Sequence, residues 1–347
     1  MIKNFLGKFS KDLGIDLGTS NTVIYVKDRG IIINEPSIVA INKRTDQILA
    51  VGREAKEMLG KTPPHIKICK PLLRGIISDF EVTEKMLRFF IDKVHEGGLN
   101  LMPRPRVVIG VPLETTEVER KAVEDAALSA GAREVFLVEE PMAAAIGARL
   151  PIEEADGSLI VDIGGGTTQI SVISLSGIVT WKALGIAGDE FNKNIIQYAK
   201  EVFNLLLGVK HAENIKQRIA SAYRLKERQQ IQMRGRDLST GLPKEVIATD
   251  EHIREAISGS VKIIVDSIKA TLENTPPELV ADIYERGLVL VGGGALLQGI
   301  DSLIAEHTAV PVRVTDEPLV CVARGTGALL DNPPLLKEVA LDSEQSI

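Results

Sequence analysis

From Leu13 onward the chain begins as short apolar runs punctuated by glycine and proline, a pattern that predicts strands at 14–17, 22–27, 30–33 and 37–42. A short helix is predicted at 52–60, stopped by Thr62-Pro63-Pro64. Over 82–94, Met86, Leu87, Phe90, Ile91 and Val94 recur at helical spacing and mark an amphipathic helix. A buried strand follows at 106–111, closed by Pro112, and then an alanine-rich helix at 117–130, ended by Gly131. Residues 135–138 read as another strand, and Glu139-Glu140-Pro141 leads into a helix at 142–150.

The second half repeats this order. Strands at 158–163, 168–174 and 178–184 precede a loop at 185–188. Helices are predicted at 190–207, on Phe191, Ile195, Ala199, Val202 and Leu206, and at 212–228, on Ile215, Ile219 and Ala222. Extended strands fill 229–249 around a turn at 238–243, and a long helix at 251–273 carries Ile253, Ile257, Ile264, Ile268 and Leu272 on one face. Thr275-Pro276-Pro277-Glu278 starts the next helix, with Thr275 as N-cap. A buried strand at 287–291 runs into Gly292-Gly293-Gly294, and residues 331–347 read as a solvated tail. Strands, hairpins and helices in the same order twice predict an α/β protein of two related lobes.

The repeat is sharpest in two short stretches. Gly14-Ile15-Asp16-Leu17-Gly18-Thr19-Ser20-Asn21-Thr22 and Val161-Asp162-Ile163-Gly164-Gly165-Gly166-Thr167-Thr168 each join an apolar strand, one Asp near its end, a Gly/Thr turn and a second apolar run. Each reads as a β-hairpin with a carboxylate at its mouth. Asp16 and Asp162 lie 146 positions apart, so duplication is the simplest account, with the two hairpins facing across a cleft. Amides of Gly18, Thr19, Ser20 and Asn21, and of Gly164, Gly165, Gly166 and Thr167, would then hold phosphate oxygens. Asp16 and Asp162 would hold Mg²⁺ through its waters, beyond the strand ends where open α/β sheets bind ligands. A single copy would fit a tight turn better than a site; the pair favours a site.

Other candidates each have a plain structural alternative. Gly292, Gly293 and Gly294 would let backbone lie against a base or ribose, or simply turn a strand into a helix. Glu213 and Lys216 share a helix face and could meet a nucleoside edge, although an exposed i,i+3 pair fits the pattern alone better. Glu140 could orient an attacking water, or satisfy a helix dipole. At the start, Ile2, Phe5, Leu6 and Phe9 form an apolar stripe with Lys3, Lys8 and Lys11 outside it, the pattern of an interfacial membrane helix, or else of a docked or disordered segment. Leu99, Leu101 and Met102 make a second apolar stretch, which is either a membrane-dipping loop or packing.

Composition narrows the classes. With 347 residues the chain suits two domains or one bilobed body, and 44% apolar with 25% charged residues is a globular composition. A net charge of −6 without a basic stripe argues against general nucleic-acid binding. Cys69 and Cys321 have no metal-type spacing, which points to reduced thiols in the cytosol, and no apolar run approaches a spanning helix.

The set "GIDLGTSNT", "EEPMAAAIG", "DIGGGTT", "GIAGDEF", "TPPELVADI" and "VLVGGGALL" resembles the MreB family of bacterial actin-like proteins, from about Leu13 to Leu330. Its phosphate motifs are shared with actins, sugar kinases and Hsp70 ATPase domains; "EEPMAAAIG" and "TPPELVADI" are more specific. The resemblance implies an actin-like fold of two duplicated, ribonuclease H-like lobes, with four subdomains around a nucleotide cleft. The implied division is a membrane segment at 1–11, subdomain IA at 12–32 and 75–150, IB at 33–74, IIA at 151–188 and 250–330, IIB at 189–249, and a tail at 331–347. It also implies an ATP- and Mg²⁺-dependent homopolymer of paired protofilaments with slow ATP hydrolysis, the motifs leaving GTP open. Membrane-attached on the inner face of the cytoplasmic membrane, such filaments work with membrane proteins of wall synthesis and cell elongation to keep rod shape.

Carried over by motif, Asp16 and Asp162 go with the metal, and Gly18, Thr19, Asn21, Gly164, Gly165, Gly166 and Gly188 with the phosphates. Glu140 and Thr167 position the hydrolytic water, Glu213 and Lys216 meet the adenosine, and Gly292 to Gly294 flank the base. The resemblance also strengthens the membrane reading of both apolar stretches. One departure is Gln169, where many relatives carry a carboxylate, which removes a charge near the second hairpin. Two rivals share the fold. A small-molecule kinase needs a catalytic Asp base beyond the two given to the metal, and an Hsp70-type chaperone needs a substrate domain after the core. An actin-related membrane adaptor would carry its amphipathic helix at the other end.

Overall fold

Leu13–Leu17 (β1) and Asn21–Val26 (β2) pair antiparallel with Leu17 opposite Thr22, closing the first Gly/Thr turn into the hairpin its sequence predicts. The computed structural model describes residues 11–96 and 104–341, so the stripe of Ile2, Phe5, Leu6 and Phe9 and the stretch with Leu99, Leu101 and Met102 lie outside the described residues. Two compact units are distinguished. One comprises residues up to Asp156, Ile173–Ile178 and residues from Leu319 on; the other comprises Gly157–Val172 and Val179–Pro318.

In the first unit, Gly30–Pro36 (β3) extends the hairpin. A small sheet of Val39–Asn42 (β4), Gln47–Val51 (β5) and Ile66–Cys69 (β6) has β4 at its centre, with the short helix Arg53–Met58 (α1) between β5 and β6. Leu72–Leu73 (β7) and Ile76–Ile77 (β8) pair as a two-stranded ribbon. Phe80–His95 (α2) buries Met86, Leu87, Phe90, Ile91 and Val94, the face the periodicity predicts. It begins two residues earlier than expected because Asp79 caps it, accepting from Val82 N–H at 3.2 Å. Arg106–Val111 (β9), Glu117–Ser129 (α3), Glu134–Glu139 (β10) and Glu140–Gly147 (α4) complete this stretch. The main sheet runs β3-β2-β1-β9-β10, with β9 parallel to both β1 and β10.

The second unit has the same plan. Ser158–Ile163 (β11), Thr168–Ser174 (β12) and Gly177–Leu184 (β13) lead to Gly188–Phe203 (α5), Leu205–Leu206 (β14) and Val209–Ile219 (α6). Gln230–Asp237 (β15) and Pro243–Thr249 (β16) are followed by Asp250–Glu273 (α7), Pro277–Arg286 (α8) and Leu288–Val291 (β17). Ile300–Thr308 (α9) and Val312–Val314 (β18) end it. Its main sheet runs β13-β12-β11-β17-β18, the first sheet's order with the corresponding strands. Asp16 is in register with Gly110 of β9, and Asp162 with Val291 of β17, so the two carboxylates occupy equivalent places. The duplication inferred from two short motifs therefore extends to whole sheets.

Several boundaries differ from expectation. The helix predicted to 207 ends at Phe203, because Asn204 takes a left-handed conformation (φ 52°) and Leu205–Leu206 pair with β15 instead; Val202, expected on the buried face, is exposed. The helix predicted at 212–228 spans Val209–Ile219; beyond it, Ala222 N–H donates to the Gln298 carbonyl at 2.8 Å. Thr275 is not an N-cap: its hydroxyl donates back to the Thr271 carbonyl at 2.7 Å, and Pro276 occupies the capping position of α8. Nor is the C-terminal stretch a solvated tail throughout. Pro333–Val339 forms a helix (α11) that buries Leu336 and Val339, and Leu341 N–H donates to the Leu137 carbonyl at 2.9 Å; residues 342–347 lie outside the described residues.

The helix before it, Cys321–Asp331 (α10), groups with the first unit, whereas 250–330 was expected in subdomain IIA. Small residues explain its placement. A Cβ at Gly325 would strike the Ala143 carbonyl, and one at Gly147 the Cys321 carbonyl, so α4 and α10 meet backbone to backbone. The alanines of "EEPMAAAIG" are thus packing residues as much as a signature.

Candidate nucleotide-binding loops

Asp16 is the last residue but one of β1, held between Val23 of β2 and Gly110 of β9. The loop after it is braced from behind by Ser37, which lies between β3 and β4. Ser37 Oγ donates to the Gly18 carbonyl at 2.6 Å and lies 3.0 Å from Thr22 Oγ1, and Ser37 N–H donates to the Ser20 carbonyl at 3.0 Å. Two carbonyl dipoles that would repel an anion are thereby turned into the body. Thr19 is buried, and its hydroxyl accepts from Gly75 N–H at 2.7 Å. The Asn21 amide donates to Asn34 Oδ1 at 2.7 Å, across to β3. Thr19 and Asn21 are therefore placed at the loop with side chains already engaged, and Ser20 is exposed. Ser37 carries no motif that would have revealed it.

The second loop uses other means for the same end. Gly164 N–H donates to the Thr167 carbonyl at 2.9 Å and closes the turn. The Gly164 carbonyl accepts from Gly188 N–H at 3.2 Å and the Gly165 carbonyl from Asp189 N–H at 2.7 Å. Here the first amides of α5 absorb the loop carbonyls. Gly188, expected in a loop lining phosphate, is the first helical residue, and its N–H is spent on this brace. Lys216 Nζ donates to the Gly188 carbonyl at 2.8 Å, so this lysine fastens α6 to the start of α5 and brings a positive charge near the turn. Glu213 accepts from Gln217 at 3.3 Å, one turn on. Thr168 Oγ1 donates to the Ile186 carbonyl at 2.7 Å, and Gln169 is buried within β12, surroundings in which an amide costs less than a carboxylate.

Asp162 is 8% exposed, and burial pushes its carboxyl up to about 6. A buried carboxylate with that cost is chemically suited to a cation, which would stabilise the ionised form. Gly292 accounts for part of the burial. It follows β17 at φ 79°, ψ 170°, and a Cβ there would collide with the Asp162 carboxylate and the Ile163 carbonyl. Gly294 likewise packs against Ile163. Glycine is required at both positions by β11 itself, while Gly293 opens the short 3₁₀ turn Gly293–Leu296. In the first unit, Glu140 is 7% exposed at the start of α4, and burial raises the neighbouring Glu139 above the usual carboxylate range. The structure thus brings Asp16 to the Gly18–Asn21 loop, and Asp162 to Gly164–Thr167, Gly188 and Gly292–Gly294, each within its own unit.

The profile of the MreB/Mbl protein family matches residues 10–338. The chain is 50% identical over 335 residues to the cell shape-determining protein MreB of Escherichia coli (strain K12), covering 95% of this chain and 96% of that one. It is 48% identical over 324 residues to the cell shape-determining protein Mbl of Bacillus subtilis (strain 168), covering 93% and 97%. Among solved structures, MreB5 of Spiroplasma citri bound to ADP is similar with a TM-score of 0.89 at 35% identity, covering 95% of this chain and 98% of that one. A MamK double helical filament is similar with a TM-score of 0.79 at 25% identity, covering 94% and 100%. With a duplicated α/β sheet, paired glycine loops and relatives matched along almost their whole length, this chain belongs to the MreB/Mbl family of actin-like cell-shape proteins.

Proposed function

We propose that this chain binds ATP with Mg²⁺ and assembles into filaments on the inner face of the cytoplasmic membrane, where they organise wall synthesis and set a rod shape. The observation that carries the nucleotide reading is the doubled loop, each copy with its carbonyls tied back and a carboxylate at the strand end. Nucleotide binding is further supported by relatives whose structures hold ADP and AMPPNP. When bound, Mg²⁺ neutralises phosphate charge, and Asp16 and Asp162 are the residues that would hold it through its waters. Backbone N–H groups of Gly18–Asn21 and of Gly165–Thr167 take the phosphate oxygens, while Gly164, whose N–H is held by the Thr167 carbonyl, shapes the turn. Glu140, buried at the head of α4, holds the hydrolytic water with Thr167. Glu213 and Lys216 border the adenosine, with Lys216 acting through the α5 terminus it already holds.

Assembly is supported by the likeness to MamK, whose structure is that of a double helical filament. Membrane attachment follows from the stripe Ile2, Phe5, Leu6 and Phe9 and the stretch with Leu99, Leu101 and Met102. Each binds weakly alone, and a polymer presenting many of them gains avidity. Sedimentation with ATP and Mg²⁺ against a nucleotide-free control tests the reading. Nucleotide-dependent pelleting is expected; no polymer in solution or on lipid would sink it. Deleting residues 1–11 should abolish vesicle pelleting and leave polymerisation intact.

A further inference from the structure

The small β14-β15-β16 sheet is tied to the helices of its unit by two histidines, each accepting a backbone N–H from one of its strands. Arg234 N–H of β15 donates to His211 Nε2 at 3.1 Å. Thr249 N–H, at the end of β16, donates to His252 Nδ1 at 3.1 Å. Among the described residues, β15 pairs with β14 only at Arg236 and Asp237, so its outer edge is open at Arg234 and the imidazole stands where a strand would. Thr249 is at once the last residue of β16 and the N-cap of α7, and its hydroxyl accepts from His252 N–H at 3.4 Å. This is a capping box, closed by histidine where glutamate or glutamine is usual.

The two histidines share a position. His211 is the third residue of α6 and His252 the third of α7, each in a first turn, where the positive helix end opposes a charged imidazole. Both bonds need a bare ring nitrogen. A proton added there faces the strand N–H with a second donor, and the amide loses its partner. The Thr249 hydroxyl, 3.2 Å from the same nitrogen, can turn and accept; the amide cannot. Burial, and after it the Arg234 guanidinium, hold the His211 ring below its ordinary 6.5, against a lesser opposing pull from the Gln232 backbone. Arg234 itself pairs with Glu245 at 2.6 Å, and Lys210 and Glu213 flank the ring on α6. Around His252 stand the Phe203 ring, Tyr198 with its hydroxyl on Glu255, and Glu251, which pairs with Arg228. Lys244, paired with Asp237, reaches the Phe203 carbonyl from β16.

We propose that these two imidazole acceptors form a proton-operated latch, fastening the β15-β16 hairpin to α6 and α7 when neutral and loosening it when protonated. Met233 and Ala248 keep the hairpin packed in the core of its unit, so the latch governs local opening and not unfolding. The inference is independent of the nucleotide, assembly and membrane readings. Opening exposes each ring to solvent, where an imidazole titrates near 6.5, so the fastening is strongest above that pH and weakens below it. At about pH 5.5 this linkage allows a rise in opening of at most about tenfold for each latch.

The test is hydrogen–deuterium exchange of the full chain without nucleotide, at about pH 8 and about pH 5.5, corrected for the intrinsic rate at each pH. Protection around Arg234 and around Thr249 is expected to fall by about three- to tenfold on acidification, while Val161 in β11 stays as protected as before. His211→Gln and His252→Gln each supply an acceptor that does not titrate. Each should abolish the fall at its own strand and leave it at the other. His252→Glu, the usual closure of such a box, should behave as His252→Gln does. Each variant is read at its own strand, so the outcome does not require all of them to fold. No fall in the unaltered protein, a fall that survives at the substituted strand, or an equal fall in β11 would overturn the proposal.

Discussion

Replacing Asp162 by Asn should make the nucleotide-free protein more stable while removing its response to Mg²⁺-nucleotide. Burial raises this carboxyl from its ordinary 3.8 to about 6. The folded state therefore holds the proton more tightly than the unfolded chain, and ionisation works against folding. The penalty is absent below about pH 3.8, grows as pH rises, and is complete above about pH 6, where the gap between the two values is worth about 3 kcal/mol. An amide of the same shape escapes this cost but loses about 1–2 kcal/mol if its new N–H groups find no partner, for a net gain of about 1–2 kcal/mol near neutral pH. The cleaner quantity is the pH dependence of the difference between the two proteins. It should change by about 2 kcal/mol between roughly pH 7.5 and pH 4.5, so that the variant's advantage is lost or reversed at the acid end. Urea unfolding of both proteins with chelator and no nucleotide measures it. A difference constant across that range would refute the claim that burial of ionised Asp162 costs stability. Added ATP with Mg²⁺ should raise the midpoint of the unaltered protein and leave the variant nearly unmoved, because the charge that would hold the ion is gone.

Gly292→Ala should cost about 2–5 kcal/mol, since its backbone lies in a region almost closed to other residues and a Cβ would strike β11; a variant as stable as the parent in thermal melts would contradict the packing described. Ser37→Ala removes the hydroxyl that holds the Gly18 carbonyl and touches buried Thr22. A loss of about 1–3 kcal/mol is expected, with weaker binding of a fluorescent ATP analogue; unaltered affinity would separate this brace from the phosphate loop. Ala309, an exposed residue ending α9 at φ 56°, should gain about 1 kcal/mol when changed to Gly, a shift visible by calorimetry.

What could be read in the sequence was periodic or local. Met86 to Val94 declared a buried helix face because apolar residues at that spacing line up on one side of a helix and scatter over both sides of a strand. The Asp-Gly-Thr stretches declared hairpins because a turn must lie between two apolar runs of that length. Events decided by one backbone angle or a distant partner stayed hidden. Leu206 continues the helical spacing of Phe191 to Val202, yet Asn204 turns left-handed and the leucine joins a strand. Helix α10 is not among the helices the spacing predicts, and what seats it against α4 is Gly147 and Gly325 meeting carbonyls opposite. Gly292 and Gly294 looked like room for a ligand; the nearer reason is β11 itself. Thr19 and Lys216 are the converse: both stand at the loops, but with polar atoms committed to Gly75 and Gly188.

The two loops show what duplication kept and what it released. Both retain a parallel strand beside the Asp-bearing strand, and both turn two loop carbonyls inward. The donors have no common origin. In the first unit they come from Ser37, at the entry to β4 and the small β5-β4-β6 sheet. In the second they are the opening amides of α5, the helix that leads to the small β14-β15-β16 sheet. Each loop is therefore bonded to the first residues of its own unit's insertion, by a side chain in one case and by a helix terminus in the other. A side chain can be deleted by mutation and a helix terminus cannot. Ser37→Ala therefore isolates the link between loop and insertion in the first unit, whereas in the second the nearest handle is Lys216, one bond further back.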